Sequence, residues 1–252
     1  MITTHDDGRL RILTFDRPEA LNAFDDAGFR ALGSELDRAR DDAGVACVLL
    51  TGTGRAFTAG MDLKSSGTGL AEGEEPGFLP FARALLAFDK PLLAAVNGIA
   101  VGIGTTVLLH CDIVLASPSA RFRVPFTRLG VVPEAASSLL LPAAIGWQAA
   151  AEWLYTSDWL HAEQAAALGF VLRVVPDAEL MTQALHLAQR IAAMPITSLR
   201  ETKRLMKATR DDSIAAANQR EQDAFLTMIG QPANIEGVTA VFERREPDFS
   251  KL

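Results

Sequence analysis

The chain has 252 residues, enough for one large domain or two modest ones, and its 49% hydrophobic and 22% charged content is that of a globular protein with a real core. Aromatics make up only 7%, so aliphatic side chains and alanine must fill that core. A formal net charge of −7 argues against a nucleic-acid partner, because lysine and arginine dominate phosphate binding.

In chain order, residues 10–15 read as a strand, followed by the turn Asp16-Arg17-Pro18. Asp25 or Asp26 can cap a helix running to about Arg40, with Phe29, Leu32 and Leu36 on one face. Residues 46–51 form a continuous apolar run of strand length, ended by Gly52 and Gly54, and residues 56–63 read as a small-residue turn. Residues 65–76 are rich in Gly, Ser and Glu and predict a mobile loop. A helix over 78–88 and a second buried strand over 91–96 follow, then a turn at Asn97-Gly98 and a buried apolar helix from Gly102 to about His110. Strands are predicted over 112–116 and 121–124, and a helix over 134–145 with Pro133 just before it. A helix over 162–168 and a strand over 171–175 come next. From Asp177 onward the pattern is helical, with Pro195, Gly230 with Pro232, and Pro247 marking three segments. The alternation predicts one α/β domain over 1–194 with a helical C-terminal region over 195–252.

Cys47 and Cys111 lie inside apolar runs and read as buried free thiols. Without a CxxC or a His/Cys cluster, no metal site is expected. No apolar run approaches the ~20 residues that span a bilayer, so no membrane is expected as a partner. The opening MITTHDDGRLRILTF enters a strand pattern directly, which predicts no signal peptide and a cytoplasmic location. The terminal Ser250-Lys251-Leu252 spells a peroxisomal address as the alternative.

Two turns carry the chemistry. Each follows a buried strand and is built from Gly and Ala, which lets backbone approach a ligand and aim N–H groups at it. Two such groups facing one point would bind a thioester oxygen better as it becomes an oxyanion. Gly102-Ile103-Gly104 is not a dinucleotide fingerprint, because Val107 holds the third glycine's place. Nothing resembling Gly-x-Ser-x-Gly surrounds Ser137 and Ser138, which read as residues that cap or pack a helix.

The segment from Phe57 through Thr58-Ala59-Gly60-Met61-Asp62 to Leu63, the run Pro91-Leu92-Leu93-Ala94-Ala95-Val96-Asn97-Gly98, and Gly102-Ile103-Gly104 through Cys111-Asp112 resemble the signature segments of the crotonase family, the enoyl-CoA hydratases and isomerases. The resemblance covers nearly the whole chain, including Arg17-Pro18-Glu19-Ala20-Leu21-Asn22-Ala23 and Phe242-Glu243-Arg244-Arg245. It implies a spiral of ββα units with a C-terminal helical trimerisation region, giving a homotrimer or a dimer of trimers. It implies that the backbone N–H groups of Met61 and Ile103 form an oxyanion hole, and that Ala20, Leu21, Ala59, Asp62 and Leu63 line the coenzyme A site. The substrate is then an acyl-CoA thioester that carries its own coenzyme A, with no further cofactor. Asp112 reads as fold-shaping, and Asp62 admits either a structural or a binding role.

A hydratase of this family needs two glutamates to position and activate water. This chain has Thr106 and Phe126 at those two places, and neither can act as a general base. Glu134 remains, in a stretch similar to the subgroup of Δ3,Δ2-enoyl-CoA isomerases, which place a single catalytic glutamate there. Moving a double bond from β,γ to α,β needs one base and no water. Desolvation would raise the basicity of Glu134, whereas a helix N-terminus would lower it. A first-turn Glu can also be there only to complement the helix dipole. These residues fit an enoyl-CoA isomerase, with a hydratase or other crotonase-type enzyme and a non-catalytic acyl-CoA-binding protein as the alternatives.

Overall fold

In the computed structural model, which describes residues 1–65 and 74–252, the chain opens with an antiparallel hairpin of Ile2–Asp7 (β1) and Leu10–Phe15 (β2). Helix α1 (Asp26–Asp41) starts as predicted, with the Asp25 carboxylate accepting the Gly28 amide and Phe29, Leu32 and Leu36 buried on one face. The chain continues through Cys47–Gly52 (β3), Ala56–Thr58 (β4), helix α2 (Phe78–Ala87), Leu92–Val96 (β5), Ile99–Val101 (β6) and the short helix α3 (Ile103–Thr106). A 3-10 turn then leads to Ile113–Ala116 (β7) and Arg121–Arg123 (β8). Helices α4 (Ser137–Ile145) and α5 (Trp147–Thr156), strand β9 (Leu160–His161), helix α6 (Ala162–Ala167) and strand β10 (Arg173–Val174) complete the sheets. Four helices close the chain: α7 (Leu180–Ala192), α8 (Ile196–Lys207), α9 (Asp211–Met228) and α10 (Pro232–Glu243).

The larger sheet has the order β1-β2-β3-β5-β7-β10 and is parallel from β2 onward. The smaller one has the order β4-β6-β8-β9, with β4, β6 and β8 parallel. Each long strand β3, β5 and β7 is followed directly by a short strand of the other sheet, and then by a helix. This is the ββα spiral, and no sequence repeat announces it.

Because β3 and β5 are buried on both faces, they read as unbroken apolar runs. Val48, Leu50, Ala94 and Val96 face the main core with α1 and α2. Cys47, Leu49, Leu93 and Ala95 face α7, whose Ala184, Ala188 and Ala192 recur every fourth residue and bring that helix close to the sheet. Asp112 Oδ2 accepts the Leu92 amide and Lys203 Nζ, each at 2.8 Å, tying α8 to the start of β5. Both thiols are free, and burial pushes the Cys47 thiol up to about 12.

Several predicted boundaries change. The turn over 56–63 opens with the three-residue strand β4, and β6 occupies residues 99–101, between the Asn97-Gly98 turn and the helix predicted from Gly102. Only 103–106 of the helix predicted from Gly102 is α-helical, and the rest is 3-10. The three C-terminal segments are four helices, because a turn over residues 208–210 divides α8 from α9. The helix predicted from Glu134 begins at Ser137 instead, since Ala135 and Ala136 both take left-handed φ, 55° and 57°. Most of the loop predicted over 65–76 lies outside the described residues. Among the described residues, no helix is long and apolar enough to cross a membrane.

Candidate active site

The two glycine turns meet. Gly60 has φ +82°, and a Cβ added there would lie 2.4 Å from Val101 O and 3.6 Å from Ile103 N. Only glycine allows this approach. The segment after β4 pairs with Phe24, whose amide donates to Gly60 O at 2.7 Å and whose carbonyl accepts the Asp62 amide at 2.8 Å. Those bonds turn Gly60 and Asp62 towards Phe24 and put Met61 between them. Across from it, Gly102 has φ +55° and Ile103 is the first residue of α3. As a first-turn donor the Ile103 amide has no intrahelical acceptor, and no carbonyl among the described residues receives it.

The residues that the resemblance assigns to coenzyme A lie on two adjoining segments. The Ala59 amide donates to Leu21 O at 2.9 Å, placing Ala20 and Leu21 beside Ala59. Leu21 and Asn22 both take left-handed φ, 53° and 58°. The Asn22 side chain is fully buried there, donating to the carbonyls of Thr53, Ala56 and Phe57 and accepting the Arg17 amide. Arg17 Nη1 donates to Asp62 Oδ2 at 3.0 Å, and Asp62 Oδ1 accepts the Lys64 amide at 3.1 Å. Asp62 therefore has a visible structural role, and it also borders the cavity beside the turns. Leu63 follows it on the same segment, half-buried.

That cavity has a volume of about 280 Å³. Its walls are apolar where Phe24, Phe29, Phe78 and Phe225 stand, and polar where Asp62, Glu134 and Glu221 reach it. Glu134 is half-buried and faces it from the loop before α4. A Cβ added at Gly102 would lie 3.8 Å from Glu134 Oε1, so this carboxylate rests against the turn that leads into Ile103. Glu134, Gly60, Met61 and Ile103 thus converge from three separate stretches of chain.

Electrostatics favour a basic Glu134. Among the described residues no donor reaches its carboxylate, and no lysine or arginine pairs with it. Burial first, and then the negative charge of Glu221, raise its pKa to about 8. The opposing pull of a helix N-terminus does not act as predicted. Glu221, on α9, accepts the Ala136 amide at 2.6 Å and the Ser138 amide at 2.8 Å, so the N-terminal end of α4 is capped by Glu221. On the other side, His110 Nε2 lies 2.8 Å from Ala135 O. A carbonyl only accepts, so Nε2 carries the proton; burial lowers the His110 pKa to about 4, leaving the ring neutral at pH 7.

Thr106 and Phe126 are both buried, and neither lines the cavity. Ser137 and Ser138 are the first two residues of α4, but neither caps it. His110, Glu221 and the other α9 residues at the cavity, Asn218, Gln222 and Phe225, carried no role in the sequence reading. One signal was present: Asn218 and Glu221 fall on the helical face of Ile214 and Ala217, where polar groups are out of place. Among the described residues, no group of three or more His, Cys, Asp or Glu could hold a metal ion.

Residues 7–251 match the enoyl-CoA hydratase/isomerase family. The chain is 34% identical over 257 residues to the 1,2-epoxyphenylacetyl-CoA isomerase of Escherichia coli, spanning 99% of this chain and 98% of that protein. It is 32% identical over 246 residues to the 2,3-dehydroadipyl-CoA hydratase of the same organism, spanning 96% and 95%. Its fold superimposes on the crystal structure of an enoyl-CoA hydratase/isomerase from Pseudoalteromonas atlantica with a TM-score of 0.94, at 39% identity, covering 98% of this chain and 99% of that one. The same sequence that winds the ββα spiral and sets its two glycine turns side by side matches this family from end to end, and the chain belongs to the enoyl-CoA hydratase/isomerase family of acyl-CoA-processing enzymes.

Proposed function

We propose that this enzyme is an enoyl-CoA isomerase that moves a β,γ double bond of an acyl-CoA to the α,β position, with Glu134 as its single acid/base. The observation that carries the reading is the placement of a half-buried carboxylate of raised pKa against the Gly102–Ile103 turn. In this reading the thioester oxygen accepts hydrogen bonds from the N–H groups of Met61 and Ile103. Glu134 takes a proton from the alpha carbon, and the electron pair spreads through the double bond to give a dienolate. The N–H groups hold the developing oxyanion, which is how such donors favour the transition state over the substrate. The proton on Glu134 then returns to the gamma carbon, so the carboxylate is regenerated and no water is consumed. A base with a pKa near the working pH suits both halves of this transfer.

Hydration is the weaker reading, because Thr106 and Phe126 offer no carboxylate. Glu221 is instead engaged in holding the turn, its two oxygens accepting the Ala136 and Ser138 amides. Coenzyme A lies along Ala20, Leu21, Ala59, Asp62 and Leu63, and the acyl chain enters the apolar cavity. The C-terminal helices serve assembly into a homotrimer or a dimer of trimers. The test is Glu134→Gln: isomerisation of a 3-enoyl-CoA should fall by at least about 10³-fold while acyl-CoA binding survives. Retained activity in that variant would overturn the assignment.

A further inference from the structure

We propose that Glu221 is a positioning residue of this site, whose carboxylate clamps the left-handed turn that presents Glu134 and sets a second negative charge facing it. The inference rests on the reading of Glu134 as the base. Ala135 and Ala136, directly after Glu134, both have left-handed φ, a conformation unfavourable for residues with a Cβ. Something outside the turn must hold them there. Glu221 does so from the amide side, taking Ala136 N and Ser138 N on its two oxygens, while His110 holds Ala135 O from the opposite side.

The placement of Glu221 argues for more than a helix cap. It is 6% exposed, on the apolar face of α9 with Ile214 and Ala217, yet it lines the same cavity as Glu134. A cap needs only a short side chain at the start of its own helix, whereas this one reaches across from another helix and brings a charge with it. The other ionisable groups around the cavity are already paired: Asp62 with Arg17, and Asp26 with Arg30. Asp25 accepts the Gly28 amide and lies 3.8 Å from Arg17. Burial keeps His110 neutral, with a smaller push from the cations Lys207, Lys203 and Arg210, and Arg220 acts on Glu221. Glu221 is thus the charge that acts on Glu134, and both groups are raised by burial.

The test reads the proton on Glu134 directly. Protein labelled with carboxyl-13C glutamate is titrated, with Glu134→Gln identifying the Glu134 signal, in the parent, Glu221→Gln and Glu221→Asp. Glu221→Gln should lower the Glu134 midpoint by about one pH unit or more, because the facing charge is gone. Glu221→Asp keeps the charge but is too short for both amides, so the midpoint should stay near the parent's. In both variants kcat for a 3-enoyl-CoA should drop about tenfold or more with KM little changed, as for a misplaced catalytic group. An unmoved midpoint in Glu221→Gln would overturn the proposal, whatever the turnover. If Glu221→Gln fails to fold, Glu221→Asp decides, and a parent-like kcat there overturns the clamp. Full activity in Glu134→Gln would sink the base assignment instead, and the titration would still report on Glu221.

Discussion

Glu134→Gln keeps the shape of the side chain and removes its charge, so its stability isolates the effect of ionising a carboxylate in this cavity. Burial and Glu221 raise the pKa of Glu134 from 4.5 to about 8. Between those values the folded chain still holds the proton that the unfolded chain has released. The stability linked to this group is therefore fully present below about pH 4.5, declines as the pH rises, and levels off above about 8. An interval of about 3.5 pH units at about 1.4 kcal/mol each sets a ceiling near 5 kcal/mol. Because one side of the carboxylate opens to the cavity, relaxation and water reduce this to roughly 2–4 kcal/mol. Urea unfolding at one protein concentration, at pH 5 and pH 9, measures it. The two proteins should differ by at most about 1 kcal/mol at pH 5, and the Gln variant should lead by about 2–4 kcal/mol at pH 9. Equal stability at pH 9, or the same gap at both pH values, would mean that the cavity does not hold Glu134 protonated above its ordinary range.

Two further outcomes follow from the same geometry. For the parent enzyme, kcat/KM should rise with pH up to a plateau above about 8, because only the ionised Glu134 can accept a proton; a profile flat from pH 5 to 9 would remove it from the rate equation. Gly60→Ala forces a side chain into φ +82° and within 2.4 Å of Val101 O, which should destabilise the fold by roughly 2–4 kcal/mol and separate the two turns. Thermal unfolding and isomerase activity both read that change, and a parent-like variant would mean that the turns are not packed as described.

The sequence made the long buried elements legible because their signals are local. The apolar runs of β3 and β5, the Asp25 cap of α1 and the single face of Phe29, Leu32 and Leu36 each lie within one helix or one strand. The three-residue strands β4 and β6 were hidden, since three residues carry too little periodicity to separate strand from turn, whereas β8 falls within the strand predicted over 121–124. At Glu134 the sequence singled out a carboxylate that does border the cavity, but on a helix start that the backbone does not form. Alanines at 135 and 136 predict helix by propensity, but the bond from His110 to Ala135 O and the bond from the Ala136 amide to Glu221 hold them left-handed instead. Only that contact shows that the dipole does not oppose the rise in Glu134 basicity. Glu221 itself is some ninety residues downstream, and its one local mark was an acid on an apolar helical face.

The most direct measurement is to incubate the purified enzyme with 3-hexenoyl-CoA and, separately, with 2-hexenoyl-CoA, following product mass and absorbance. Conversion of the 3-enoyl substrate to the conjugated 2-enoyl thioester at unchanged mass, with little water added to the 2-enoyl substrate, is the predicted result. Gain of one water by the 2-enoyl substrate, with the 3-enoyl substrate left untouched, would contradict the single-glutamate isomerase.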